Sequence, residues 1–93
     1  MAITRVNHFE AKAGSEEKLY AFLKDVIATI RACPGSLSCR LLRGHDSPAS
    51  LAIIEEWESI EAHQAAAKAI PKEMMAEAMT LFGKPPSGTY YRD

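Results

Sequence analysis

Several absences narrow this chain before any pattern is read. It has two cysteines, Cys33 and Cys39, in 93 residues. Two are too few for a disulfide framework, and their spacing makes no CxxC pair for zinc. No charge excess exists either, since 11 Lys plus Arg stand against 12 Asp plus Glu. No basic run exceeds two residues. A nucleic-acid or anionic-membrane partner asks for a basic stripe, so neither is expected. No apolar run approaches the roughly 20 residues of a bilayer-spanning helix. The start, MAITRVNHF, puts Arg5 and Asn7 where a signal peptide needs an apolar core. A cytoplasmic protein with reduced thiols is the expectation. Five dispersed glycines form no phosphate-cradling loop. The three histidines (His8, His45 and His63) make no HExxH spacing, and no GxSxG elbow is present. No metal site is expected.

What is present is an ordinary globular balance, 47% hydrophobic and 25% charged. A chain this short makes one domain over residues 1–93, because a second would have no core of its own. Residues 2–10, AITRVNHFE, alternate as a strand does. Ile3, Arg5, Asn7 and Phe9 share one face; Thr4, Val6 and His8 share the other. Gly14-Ser15 ends it, and Ser15 is placed to cap a helix whose first turn carries Glu16 and Glu17. Leu19, Phe22, Leu23, Val26, Ile27 and Ile30 then recur at helical spacing as one apolar stripe. Cys33-Pro34-Gly35 stops that helix.

SLSCRLLR (36–43) and LAIIEEWES (51–59) read as two strands of a hairpin around the turn cluster GHDSPAS. In the second, Leu51, Ile53, Glu55 and Trp57 share a face. Ser59 is placed to cap another helix, SIEAHQAAAKAI, which Pro71 interrupts. PKEMMAEAMTLF resumes helical character with Met74, Met75, Ala78 and Met79, and Gly83 is expected to stop it. KPPSGTYYRD leads through prolines into a short last strand with Tyr90 and Tyr91. The order β-α-β-β-α-β predicts an α+β, ferredoxin-like antiparallel sheet with its helices on one face. Whichever strand face the helices cover, the other is too apolar to stay wet, with residues such as Val6, Leu42, Ala52 and Ile54. A homodimer pairing two sheets is therefore expected.

Few residues can do chemistry. Cys33 and Cys39 read as small core or boundary residues. Glu55 and Glu56 are adjacent on a strand and point to opposite faces, so they cannot act together; one solvated and one at a rim is the expectation. An aromatic and imidazole group remains. Asn7 and Trp57 sit on neighbouring strands, and His63 lies one turn into the following helix. With Phe9, Phe22 and the methionines they could line a mostly apolar pocket between helices and sheet. The alternative is a packed core Trp57 and an exposed His63.

Three stretches, AKAGSEEKLYAFL, ACPGSLSCRLLRGHD and IIEEWESIEAHQAAA, resemble the antibiotic biosynthesis monooxygenase (ABM) family of dimeric α/β barrels. The likeness runs from Ile3 to Tyr90. It implies a homodimer of face-to-face sheets, with GTYYRD extending onto the partner. It also implies oxidation of small aromatic or quinol-type substrates by dioxygen, without metal, flavin or haem. On that resemblance His63 is the first candidate for the base and His8 the second. Trp57 would stack on the substrate ring, Asn7 would hold a phenolic or carbonyl oxygen, and Phe9, Phe22 and Met75 would line the slot. Many relatives carry a further histidine where this chain has Ala66. Haem-degrading relatives place their iron ligand about where Ala67 stands, so haem degradation is the less favoured reading. A non-catalytic barrel that binds a small hydrophobic metabolite is the alternative.

Overall fold

The structure, a computed structural model, describes residues 2–93. In chain order it comprises β1 (Ile3–Ala11), α1 (Glu16–Arg31), β2 (Ser36–Arg43), β3 (Ser50–Trp57), α2 (Ile60–Ala69), α3 (Lys72–Met79) and β4 (Phe82–Tyr91). The strands form one antiparallel sheet in the order β2-β3-β1-β4. This is the ferredoxin-like arrangement with its second helix broken in two. Among the described residues, no helix is long and apolar enough to cross a membrane.

The pairing settles which strand faces are covered. Ile3 opposes Trp57, Asn7 opposes Ile53, and on the other side Arg5 opposes Tyr90. Ile3, Ala11, Cys39, Leu51, Ile53, Glu55 and Trp57 are buried under the helices. The stripe on α1 meets them with Leu19, Phe22, Leu23, Ile27 and Ile30. Burying an aliphatic or aromatic side chain of this size contributes about 1.5–3 kcal/mol, so this seam is the main source of stability. Arg31 fastens the end of α1 to β2, donating from Nη2 and Nε to the Cys39 carbonyl at 2.7 and 3.2 Å. The opposite sheet face carries Thr4, Val6, Leu42, Ala52 and Ile54, each half-buried with no helix over it.

The helix boundaries follow local chemistry, with one departure at α1. Ser15 stands at its N-cap, but its side chain makes no capping bond. The Glu16 carboxylate instead accepts from the Gly14 N–H at 3.4 Å. At α2 the expected cap forms, with Ser59 Oγ accepting from the Ala62 N–H at 3.1 Å. Gly35, between α1 and β2, has φ of +86°, where a side chain is strained. A Cβ there would also stand 2.6 Å from Ala62 Cβ, so this turn rests directly on the first turn of α2.

The C-terminal third differs from the sequence expectation. The helix ends at Met79 instead of running to Phe82, and β4 is ten residues long. Pro85 and Pro86 lie inside the strand instead of leading up to it. They are tolerated because β4 is an edge strand, and its register against β1 shifts around them, between His8 and Glu10. Pro71 breaks α2 from α3 by holding Ile70 extended, at ψ 126°.

Candidate active site

Between α1, the broken α2–α3 pair and the sheet lies a cavity of about 200 Å³. Its wall is predominantly apolar, with Phe9, Phe22, Ile53, Ala66, Met74 and Phe82 among its lining residues. For scale, a dry cavity of about 150 Å³ accommodates benzene. One or two fused rings therefore suit this space. Phe9 and Phe82 stack at 5.6 Å between centroids, giving one wall a flat aromatic surface.

The polar groups converge at one end, and a residue the sequence reading set aside lies at their centre. Glu55 is only 4% exposed, on the β3 face otherwise occupied by Leu51, Ile53 and Trp57. Asn7 Nδ2 donates to its Oε2 at 2.6 Å and Trp57 Nε1 donates to its Oε1 at 2.8 Å. The expectation of a solvated or rim carboxylate is thus corrected for Glu55, while Glu56 is exposed and bonded to Ser38. The two donors explain the burial, because a carboxylate removed from water needs charge-assisted hydrogen bonds in exchange. Asn7 is itself fixed, since its Oδ1 accepts from Arg5 Nε at 3.0 Å. Its amide orientation follows from having a donor on one side and a carboxylate on the other.

His63 closes this end from α2. Its Nε2 lies 3.9 Å from Glu55 Oε1, and its Nδ1 lies 2.6 Å from the Tyr90 hydroxyl. The ring stands edge-on between Trp57 and Tyr90, at centroid distances of 5.6 and 5.3 Å. A carboxylate facing Nε2 favours the proton there, which leaves Nδ1 to accept from the Tyr90 O–H. The Arg5 guanidinium lies 4.7 Å over the Tyr90 ring, completing a chain of contacts across three strands. Gly88 makes room for it: a Cβ there would collide with the Arg5 guanidinium and stand 2.6 Å from Asn7 Oδ1.

Burial governs the titration of these groups. It pushes the Glu55 carboxyl above its ordinary value, against the hydrogen bonds from Trp57 and Asn7 and the charge of Arg5, which pull it back. Burial, and then the positive charge of Arg5, lowers His63. The result is a neutral imidazole beside a carboxyl group poised closer to neutrality than a surface glutamate. Cys39 behind them is pushed up to about 12 by burial and by the Glu55 charge, so its thiol is inert.

Of the sequence candidates, the cavity brings together Asn7, Trp57, His63, Phe9, Phe22 and Met75. It does not include His8, which is exposed on the opposite face of β1 by the strand's two-residue period. Tyr90, Arg5 and Glu55 were missed. Glu55 had a signal, a carboxylate interrupting an otherwise apolar face. Tyr90 and Arg5 had none, because only the β1–β4 register puts them beside His63 and Asn7.

Residues 2–77 match the family model described as antibiotic biosynthesis monooxygenase, and the chain belongs to that family. Among solved structures it is similar to SnoaB, a cofactor-independent oxygenase from Streptomyces nogalater, at 21% identity. That match covers 99% of this chain and 92% of SnoaB, with a TM-score of 0.85. It is also similar to Rv0793 from Mycobacterium tuberculosis (21% identity, 100% and 95% covered, TM-score 0.86). A conserved protein from Methanosarcina mazei Go1 matches at 18% identity, 100% and 93% covered, with a TM-score of 0.90. At these identities the likeness is one of fold. A search of curated proteins finds no match.

Proposed function

We propose that this protein is a cofactor-independent monooxygenase acting on a small phenol- or quinol-type aromatic. The observation that carries the reading is the convergence of a buried carboxylate and an imidazole at one end of a mostly apolar cavity between the helices and the sheet. Family membership and the likeness to an oxygenase support it. The reaction needs little from the protein beyond position, dryness and a proton acceptor. A phenol that loses its hydroxyl proton becomes electron-rich enough to pass one electron to dioxygen. The resulting radical pair forms a ring C–O bond, and protonation gives a ring hydroperoxide. Loss of water, taking the hydrogen from the same ring carbon, leaves a carbonyl there. One oxygen atom of dioxygen ends in the quinone and the other in water.

Haem degradation is disfavoured by the residues themselves. Ala66 is buried and lines the cavity with a methyl group, Ala67 offers no ligand atom, and His63 Nδ1 is engaged by Tyr90. Ligand binding without turnover is the second reading. It is favoured by the fact that Asn7 donates to Glu55 and, at 3.5 Å, to the Ile53 carbonyl, while Trp57 donates to Glu55, which leaves neither side chain a free polar hydrogen for a ligand. Oxygen uptake by metal-free protein, with a panel of phenols and reduced quinols, separates the two. Uptake above blank supports the enzyme; quenching of Trp57 fluorescence with no uptake across the panel supports the binding protein.

The same reading includes a homodimer. The uncovered face of Thr4, Val6, Leu42, Ala52 and Ile54 suits a second copy packed sheet to sheet, about a two-fold axis. Tyr91, 55% exposed at the end of β4, continues that apolar surface toward the partner.

A further inference from the structure

Asn7 and Trp57 are not free to meet a substrate with their polar atoms. Asn7 Oδ1 is taken by Arg5, its Nδ2 by Glu55 and the Ile53 carbonyl, and Trp57 Nε1 by the other Glu55 oxygen. Both side chains aim at one carboxylate from two strands. Each carboxylate oxygen can accept more than one hydrogen bond, so both keep an unused lone pair after these donors. Glu55 also lines the cavity, as does His63.

The distance between the two groups is the informative quantity. Glu55 Oε1 and His63 Nε2 are 3.9 Å apart, too far to bond each other. An oxygen atom can nevertheless stand at about 2.8 Å from both, since the gap is shorter than twice a hydrogen-bond length. A hydroxyl there would donate to the carboxylate and accept from Nε2–H. We propose that Glu55 is the catalytic residue that takes the substrate's hydroxyl proton. His63 donates to the oxyanion that results, and Asn7 and Trp57 are positioning residues acting through Glu55. Tyr90 is a positioning residue too, holding the His63 tautomer with a hydrogen bond to Nδ1.

The step balances. The phenol O–H bond breaks, its proton forms the carboxylic acid of Glu55, and the electron pair stays on the phenolate oxygen against His63 Nε2–H. After electron transfer to dioxygen and C–O bond formation, the peroxide anion takes that proton back, giving the hydroperoxide and restoring the carboxylate. The groups facing Glu55 match this cycle: Arg5 from β1 favours the carboxylate, and His63 from α2 is neutral. On β2 the Cys39 thiol, inert, does not compete for the proton. A negative carboxylate at the polar end also selects for uncharged hydroxyl-bearing rings over rings carrying carboxylate or phosphate.

This rests on the monooxygenase reading, and Glu55→Gln with 4-nitrophenol as a binding probe tests it separately from that reading. The phenol and phenolate forms of the probe absorb at different wavelengths, so its titration in the cavity is visible without turnover. Wild type should hold the bound probe protonated to higher pH than Glu55→Gln, because only the carboxylate opposes a phenolate. On substrate, Glu55→Gln should lose about 100-fold or more of the oxygen-uptake rate, while the quenching of Trp57 shows affinity within a few-fold. Glu55→Asp, which keeps a carboxylate, should recover part of the rate and the acidic limb of the pH profile. A probe that fails to bind wild type, or titrates alike in wild type and Glu55→Gln, overturns the proposal. So does a Glu55→Gln rate equal to wild type. A shifted probe titration with no uptake by wild type would retain the Glu55 contact and reject the monooxygenase.

Discussion

Glu55 shows what one residue in the wrong-looking place can mean. A carboxylate on a face of Leu51, Ile53 and Trp57 is costly unless something pairs with it. The pairing comes from Asn7 and Trp57, which lie on the same sheet face on two strands. Alternation along β3 was enough to place Glu55 on that face, but burial depends on donors brought by another strand. Asn7, Trp57 and His63 were legible because each is a rare chemical type at a recognisable position. Their roles were less so: the hydrogen bonds turn Asn7 and Trp57 toward Glu55, which no spacing along the chain reveals.

His63 carries a pH prediction at the same scale. Its folded value lies below the ordinary 6.5 because burial and Arg5 disfavour the cation. Above 6.5 the imidazole is neutral in both folded and unfolded chains and costs nothing. As pH falls below 6.5 the unfolded chain gains the proton first, so stability falls until the lower folded value is passed. Glu55 opposes this in part, since its raised folded value makes stability decline as pH rises above the unfolded 4.5. Denaturant unfolding of wild type and His63→Gln from pH 8 to about 5 should therefore diverge. Wild type should lose stability relative to the variant below pH 6.5, and parallel curves would contradict a neutral His63.

At the level of elements, the turn at Gly35 connects fold and site. It needs a positive φ, and the space a side chain would fill belongs to Ala62, one residue before His63. Gly35→Ala should cost about 1–3 kcal/mol from backbone strain, with overlap against α2 adding to it. Because α2 carries His63, ligand affinity should weaken together with stability, as denaturant unfolding and Trp57 quenching would show. Loss of neither would contradict the contact. The apolar period of α1 and the hairpin alternation made most elements legible. The end of α3 and the start of β4 were not, because PKEMMAEAMTLF has helical composition throughout. Only pairing with β1 draws Phe82 into a strand, and only edge position lets Pro85 and Pro86 follow.

For the whole molecule, the uncovered sheet face and the cavity lie on two sides of one sheet. A partner on the outer face would stiffen the strands that carry Arg5, Asn7, Glu55 and Trp57 without entering the cavity. Ile54→Lys places a charge in the middle of the proposed interface. Light scattering at micromolar concentration should give wild type twice the chain mass of 10.2 kDa and the variant the single mass. A wild type that scatters as one chain would contradict the sheet-to-sheet dimer. The order of elements and the apolar outer set made this expectation readable from the sequence; which set lay outside was fixed only by the observed register.

The central claim, that this cavity oxygenates a phenolic ring using its own acid–base groups, is tested most directly with labelled dioxygen. Metal-free protein should consume ¹⁸O₂ with a phenol or quinol that quenches Trp57, placing one labelled atom in the quinone and one in water. Ligands that bind and quench but produce no uptake above blank, and no label in any product, would contradict the account and leave a binding protein.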